Sequence, residues 1–500
     1  YRKDSDGRIA HRHWVTGSQH RAPADSAAGD GYRWLLLAVV LYALAAGALV
    51  TIHWVRWQTG VDTGINTQVV LGTLHGFHST FEGGSDLAVH FSPLLAIFYP
   101  LLLVTRSGLA LEYAQVALIA CVPLAMYALV RPHVAEPLAV RAGLISLLYP
   151  PLATIGIGEF HILACVPLLV IGLLWAADRG RWGWFSLLAV LALAVREDVL
   201  LELAAIGLVC GIVLLRSRHG IGTLLESPQL RRTFGLALLA LGGGAIAVAL
   251  AYFGILQPAN SRYGWYPLLY YHIGARPRSG IAALPPVPPP PNPAGTPLMA
   301  TMQRFTYLCE AFVPLALLPL RTWWWLLALP GLAIVLLATS QSIRTMGAQY
   351  SLLWAPWLLI ATAIALIAIN SAAGSRVATR WADVALGACV FFLIFINPMH
   401  LSYYLRAPYH DLAGAKRALA CVPPDASLST HDEWFTHIAG VYPRANGNVI
   451  EGVEYLVYAD DYPDPTFERE VKPKLQKALA SGRLRVVCSA GQVHTYAPIR

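Results

Sequence analysis

Residues 58–104 read QTGVDTGINTQVVLGTLHGFHSTFEGGSDLAVHFSPLLAIFYPLLLV. The first part gathers Asp62, Asn66, Gln68, His75, His78, Glu82, Asp86 and His90. The second, 91–104, is an apolar run with Pro93 near its start and Pro100 inside it. Whether that run crosses a bilayer decides the orientation of everything after it. The whole chain of 500 residues is 56% hydrophobic and only 13% charged, with a mean hydropathy of +0.53. A soluble domain usually carries about 25% charged residues, so this composition belongs to a polytopic membrane protein.

A helix needs roughly 20 apolar residues to cross, with a range of about 17 to 25. Outside 91–104 the runs that meet or approach this are 34–54, 109–130, 137–155, 162–177, 184–195, 199–215, 234–256, 305–320, 323–338, 350–369 and 381–396. If 91–104 does not cross, the gaps holding Arg131, Arg141, Arg179, Arg181, Arg216, Arg218, Arg231, Arg232, Arg321, Arg376 and Arg380 all face the cytoplasm, as the positive-inside rule requires. A full crossing puts them outside. The expected fold is therefore an all-α polytopic membrane protein of about eleven spans, with interfacial helices after the first.

The same reading sets the domains: a cytoplasmic N-terminal arm over 1–33, a membrane domain over 34–399 and an extracytoplasmic α/β domain over 400–500. The membrane domain includes a first outer loop at 55–108 and a long outer loop at 257–304. The polar, Arg-rich arm is not the pattern of a cleavable signal peptide. A net charge of +8 might suggest nucleic acid, but the arginines sit in short gaps between apolar runs, which fits membrane topology and no nucleic-acid partner. LPPVPPPPNPAG at 284–295 reads as a stiff spacer.

Beyond residue 400 the pattern changes. DLAGAKRALACV reads as a helix, ASLST and EYLVYA as strands, TFEREVKPKLQKALAS as an amphipathic helix, and RLRVVCSA and VHTYAP as strands. Of seven cysteines, five lie in or at the ends of apolar runs, and no CxxC pair occurs. Cys421 and Cys488 lie in this polar region, where an oxidising compartment would allow them to pair.

Several residues are suited to chemistry. Asp62, just beyond the first span and flanked by Gly60 and Gly64, is placed for general-base work, or else caps the following helix. His78, Glu82, Asp86 and His90 recur every four residues, but Gly83 and Gly84 interrupt any shared helical face, so a solvated loop fits better than a metal site. Ser92 and Pro93 could open the interfacial helix, leaving His90 at the surface to meet a phosphate. Glu159 and His161 mark one turn between apolar runs, and Arg196, Glu197 and Asp198 mark another. Ionisable groups at membrane depth are costly unless paired or functional, and Arg196 could neutralise Glu159 or Asp62. Arg304, Arg344 and Gln349 are further phosphate candidates, and Tyr263, Trp265, Tyr266, Tyr270, Tyr271 and His272 form an aromatic run. No P-loop, GxGxxG, GxSxG or HExxH pattern is present, which removes the usual ATPase, dehydrogenase, hydrolase and zincin readings.

The segments VDTGINTQ at 61–68, HFSP at 90–93, EFH at 159–161, RED at 196–198 and VPPDASLST at 422–430 resemble a family of bacterial predicted membrane proteins, domain of unknown function 2079. That family is itself similar to the C-class (GT-C-type) lipid-dependent glycosyltransferases. Val61 and Glu159 depart from the family's usual aromatic and Asp. The resemblance implies a bacterial inner-membrane protein with Asp62 as the base and a polyprenyl-phosphate sugar as the donor. Gln68, His90, Glu159, His161, Arg196, Glu197 and Asp198 would line the site, with His90 and His161 the candidates for holding a divalent metal. The competing reading is a non-catalytic subunit whose polar turns are structural ion pairs and whose loop or C-terminal domain docks other subunits of a membrane complex. A flippase for lipid-linked substrates is a third, although no inverted repeat with broken helices is evident.

Overall fold

A computed structural model describes residues 30–216, 228–257, 297–338, 343, 345–396, 406–464 and 467–499. Most of the arm, the 263–272 aromatic run, the 284–295 spacer, Arg218 and Arg344 lie outside the described residues. Helices α1 (Asp30–Val55), α2 (Val61–Leu71), α3 (Tyr99–Thr105) and α4 (Leu109–Val130) open the chain. They are followed by α5 (Glu136–Leu148), α6 (Pro150–Ile155), α7 (Val166–Asp178), α8 (Trp182–Leu193), α9 (Glu197–Arg216) and α10 (Pro228–Ala251). The membrane part closes with α11 (Pro297–Phe312), α12 (Leu329–Leu337), α13 (Ser351–Ala373) and α14 (Ser375–Phe391).

Among the described residues six helices are long and apolar enough to cross a membrane: Asp30–Val55, Leu109–Val130, Glu197–Arg216, Gln229–Leu256, Ser351–Ala373 and Ser375–Ile396. The expectation of about eleven is not met on length, because prolines cut several of the apolar runs. Tyr149 is driven to an extended ψ of 115° by the proline that follows it, which splits 137–155 into α5 and the short α6. The runs 162–177 and 323–338 each begin as a 3₁₀ segment and become α-helical only at a proline-containing first turn. Hydropathy detects the apolar run and is blind to these breaks.

The run that opened the sequence analysis is a 3₁₀ turn, Pro93–Phe98, leading into α3. At about 1.5 to 2 Å of rise per residue, the pair falls short of the roughly 30 Å hydrocarbon thickness. It ends where Arg106 takes a left-handed φ of 50° and turns the chain into α4. Leu95 and Leu102 pack inward, while Ile97, Leu103 and Val104 are exposed, the face expected of a helix lying along lipid.

The C-terminal domain is a five-stranded sheet of β3 (Leu428–Thr430), β4 (Ala445–Gly447), β5 (Tyr455–Ala459), β6 (Leu484–Ala490) and β7 (Val493–Pro498), in the order β4-β3-β5-β7-β6. Strand β3 pairs in parallel with β4 and β5, and β7 is antiparallel to both β5 and β6. Its helices are α15 (Leu412–Leu419), α16 (Asp432–Ile438) and α17 (Lys472–Ala480). Cys421 and Cys488 form a disulfide. The six elements expected from sequence are present, and two were not foreseen, β4 and α16. Both are short, and α16 is the element that docks the domain.

Helix α16 lies on α2. Thr436 Oγ1 donates to the Gly60 carbonyl at 2.8 Å, and a Cβ on Gly64 would stand 2.7 Å from the Phe435 ring. His437 packs between Trp54 and Trp57, with ring centroids 4.3 and 5.4 Å away. Gln68 completes the joint: its amide donates to the carbonyls of Ala445 (2.8 Å) and Pro443 (3.3 Å), and its oxygen accepts from Ser79 Oγ (3.0 Å) and the Phe81 N–H (3.1 Å). The small hairpin β1 (His78–Ser79) and β2 (Gly84–Ser85) is thereby held against the C-terminal domain.

Candidate functional site

The Glu159–His161 turn is clamped from α4 by two polar residues one turn apart. Gln115 donates to the carbonyls of Ile155 (2.8 Å), Gly158 (3.1 Å) and Glu159 (2.8 Å), and its Oε1 accepts from the His161 N–H at 2.9 Å. Thr63 links the same turn to α2: its hydroxyl donates to Glu112 Oε1 (3.0 Å) and accepts from the Phe160 N–H (2.9 Å). Asn66 donates to the carbonyls of Asp62 and Phe160. The backbone of the turn and the first turn of α2 therefore form one hydrogen-bonded unit.

In that unit Asp62 is not the helix cap. The N-cap residue is Gly60, without a side-chain cap, and the open N–H of Asp62 donates to Glu159 Oε2 at 2.8 Å. A Cβ on Gly60 would fall 1.9 Å from Glu159 Oε1. Gly60 has an ordinary φ of −70°, so glycine is required there by the close approach of Glu159 and not by backbone conformation. With the cap supplied from another element, the Asp62 side chain is left 43% exposed, its Oδ2 lying 3.6 Å from His161 Nε2.

The charge states follow from burial. Burial, and then the adjacent Asp62 carboxylate, push the Glu159 pKa up to about 8. Burial pulls His161 down to about 4 against the attraction of Asp62, with Arg196 and His90 adding to the fall. Near neutrality both are uncharged.

A second cluster lies beyond His161. His90 Nδ1 is 2.7 Å from Glu197 Oε1, and the Phe91 N–H donates to Glu197 Oε2 at 2.8 Å. Burial opposes the His90 cation, but Glu197 outweighs it and its pKa is raised. Ser92 does not cap the following 3₁₀ turn through its side chain; its hydroxyl donates to Asp86 Oδ2 at 2.9 Å. Burial pushes Asp86 up to about 6. Arg196 bonds to Asp198, lies 3.9 Å from Glu197 and sits over the Tyr350 ring at 4.8 Å. Its ion pairs are thus with its chain neighbours and not with Glu159 or Asp62.

Of the expected site residues, Asp62, Glu159 and His161 meet directly. His90, Arg196, Glu197 and Asp198 form the adjoining cluster, and Gln68 is spent on the domain joint. Arg304 donates to the Leu336 carbonyl. Among the described residues no group of three or more His, Cys, Asp or Glu is arranged to hold a metal ion, and His90 and His161 are engaged with Glu197 and Asp62.

Sequence reasoning missed Glu112, Gln115, Tyr252 and Glu433. The first two were findable as polar residues inside an apolar span. Tyr252 sits on a π-helical turn at the end of α10, its ring 5.4 Å from Phe91. Its buried hydroxyl has no hydrogen-bond partner among the described residues. Glu433, in the first turn of α16, accepts from Arg406 and Tyr462, and its charge reaches Glu159. The C-terminal domain therefore borders the Asp62 cluster.

The family described as "Predicted membrane protein (DUF2079)" matches residues 53–491. No curated protein matches the chain. One solved structure with similarity is the Archaeoglobus fulgidus oligosaccharyltransferase in its apo form, at 13% identity and a TM-score of 0.35, covering 85% of this chain and 69% of that one. At that score the likeness carries no argument.

Proposed function

The chain belongs to the DUF2079 family of predicted membrane proteins, and from that membership and the geometry around Asp62 we propose that it is a GT-C-type membrane glycosyltransferase. It transfers a sugar from a polyprenyl-phosphate donor to a hydroxyl acceptor at the extracytoplasmic face of the bacterial inner membrane. The observation that carries the reading is the release of Asp62 from capping. Glu159 takes the helix N–H, and a half-exposed carboxylate is left in the first turn of α2, shortly beyond the first membrane helix.

In this mechanism Asp62 accepts the proton of the acceptor hydroxyl as its oxygen bonds to the anomeric carbon. The bond from that carbon to the phosphate oxygen breaks, and the polyprenyl phosphate leaves as an anion. His161, neutral near pH 7, orients Asp62 without neutralising it. His90, held as a cation by Glu197, meets the donor phosphate on the other side of His161. Two observations support the placement outside the cytoplasm: the Cys421–Cys488 disulfide, and docking of its domain onto the loop that follows α1. The rival reading is a non-catalytic subunit that docks other subunits through the loop or the C-terminal domain; its loop form loses ground because that surface of the loop is occupied by the chain's own C-terminal domain.

The test is Asp62→Asn, assayed for transfer from a labelled polyprenyl-phosphate sugar in proteoliposomes. A positioned general base is typically worth about 10²- to 10⁴-fold. A loss of that order, with an unchanged melting temperature, is expected. Full activity in the variant would end the proposal.

A further inference from the structure

The first turn of α10 holds a buried cation that no described carboxylate neutralises. Arg231 is only 8% exposed, yet among the described residues its Nε and Nη1 have no hydrogen-bond partner and no carboxylate lies within ion-pair reach. Truly orphaned buried charges are avoided because their desolvation goes uncompensated. Helix side chains lean toward the N-terminus, which aims Arg231 back toward the first turn of this 24-residue helix, the positive end of its dipole. An unpartnered guanidinium and a helix N-terminus therefore face one point.

That point is on the membrane surface opposite the Asp62 cluster. α9 starts beside His90 and runs for 20 residues, about 30 Å at 1.5 Å per residue. α10 packs antiparallel to it through glycines: Gly207 meets Gly242, and Gly211 meets Gly235 and Leu239. The first turn of α10 is thus at the far end. The turn between α7 and α8 closes over it, with Gly180 against Leu230. Arg179 and Arg181 flank that turn, their guanidiniums over the Trp175 ring at 5.7 and 5.1 Å, and strengthen the positive field. The neighbouring outer faces of α9 and α10 are apolar and exposed at Val209, Ile212, Val213 and Leu236, a surface for acyl chains.

We propose that Arg231 and the α10 N-terminus bind the phosphate of an anionic phospholipid, a site independent of the transfer reaction. The source is a lipid headgroup because the anion site sits where exposed acyl-facing helices meet the membrane surface.

The experiment uses the full chain in nanodiscs of phosphatidylcholine with and without phosphatidylglycerol, read by thermal unfolding and by native mass spectrometry of retained lipid. Phosphatidylglycerol is expected to raise the unfolding midpoint of the wild type and of Arg232→Met, an exposed neighbour. Arg231→Met should lose that response and hold the lipid about tenfold more weakly, the effect of losing a charge-assisted contact. An unchanged response in Arg231→Met overturns the proposal. So does an equal gain from inorganic phosphate in phosphatidylcholine discs, which would make the ligand soluble phosphate. Glu226, two residues before the helix, lies outside the described residues. A lipid response that is absent from the wild type and appears only in Glu226→Gln would make Glu226 the partner and overturn the proposal as well.

Discussion

Glu159 and His161 set opposite pH dependences on the fold. Glu159 is raised from the ordinary carboxyl range to about 8, so between about pH 4.5 and 8 the folded protein holds a proton the unfolded chain has released, and stability falls as pH rises. His161 is lowered to about 4. Between about pH 4 and 6.5 the unfolded chain holds the extra proton, and stability rises with pH. Glu159→Gln keeps an acceptor for the Asp62 N–H and should flatten the alkaline decline of the melting temperature. His161→Asn should flatten the acid limb. If either variant reproduces the wild-type curve, the corresponding protonation state is wrong. Tyr252 offers a second residue-scale test. Its hydroxyl is buried without a partner among the described residues, and deleting an unsatisfied polar atom is neutral or stabilising. Tyr252→Phe should therefore match or exceed the wild-type melting temperature, and a loss of more than about 1 kcal/mol would mean that the hydroxyl has an internal partner. None of this was readable from spacing. The sequence offered Asp62 as a base or as a cap, and only the approach of Glu159 from 97 residues away removes the cap.

At the scale of elements, the joint between α2 and α16 depends on two glycines with different duties. Gly60 admits the Glu159 carboxyl, and Gly64 admits the Phe435 ring and the Thr436 backbone, with Cβ positions 2.7 and 2.8 Å from them. Those neighbours are a core aromatic and main chain, which cannot step aside cheaply. Gly64→Val should undock α16 at a cost of about 1 to 3 kcal/mol and expose Asp432–Ile438 to protease, while the disulfide-linked sheet stays folded. Protection equal to the wild type would mean that the joint is not where the domain is held. The elements of this domain were legible because each expected strand and helix carries its own period. The seven-residue α16 was not, since DEWFTHI is too short for a helical period to stand out. The long spans were legible by hydropathy, and the same measure gave no sign of the breaks in the others. Composition persists across Tyr149–Pro150, whereas the helix does not.

At the scale of the whole molecule, the topology follows from two local facts. α1 is 26 residues long, about 39 Å at 1.5 Å per residue, enough to cross. The chain leaves its end directly into the loop on which the C-terminal domain is docked, where Arg56 and Gln58 donate to the Arg406 carbonyl and Thr436 to that of Gly60. The proposed topology therefore sets the start of α1 and the C-terminal domain on opposite sides of the membrane, whatever the number of helices between them. On the proposed topology the basic arm before α1, including Arg12 and Arg21, stays in the cytoplasm, with Asp62 and the disulfide outside. An alkaline phosphatase fused after residue 499 should therefore be active in intact cells. A fusion truncated within the 217–227 connection, where Arg216, Arg218, Arg231 and Arg232 cluster, should be inactive. Activity from the second fusion would place Arg231 on the outer surface. An inactive C-terminal fusion would put Asp62 in the cytoplasm, where an externally facing sugar transfer is impossible.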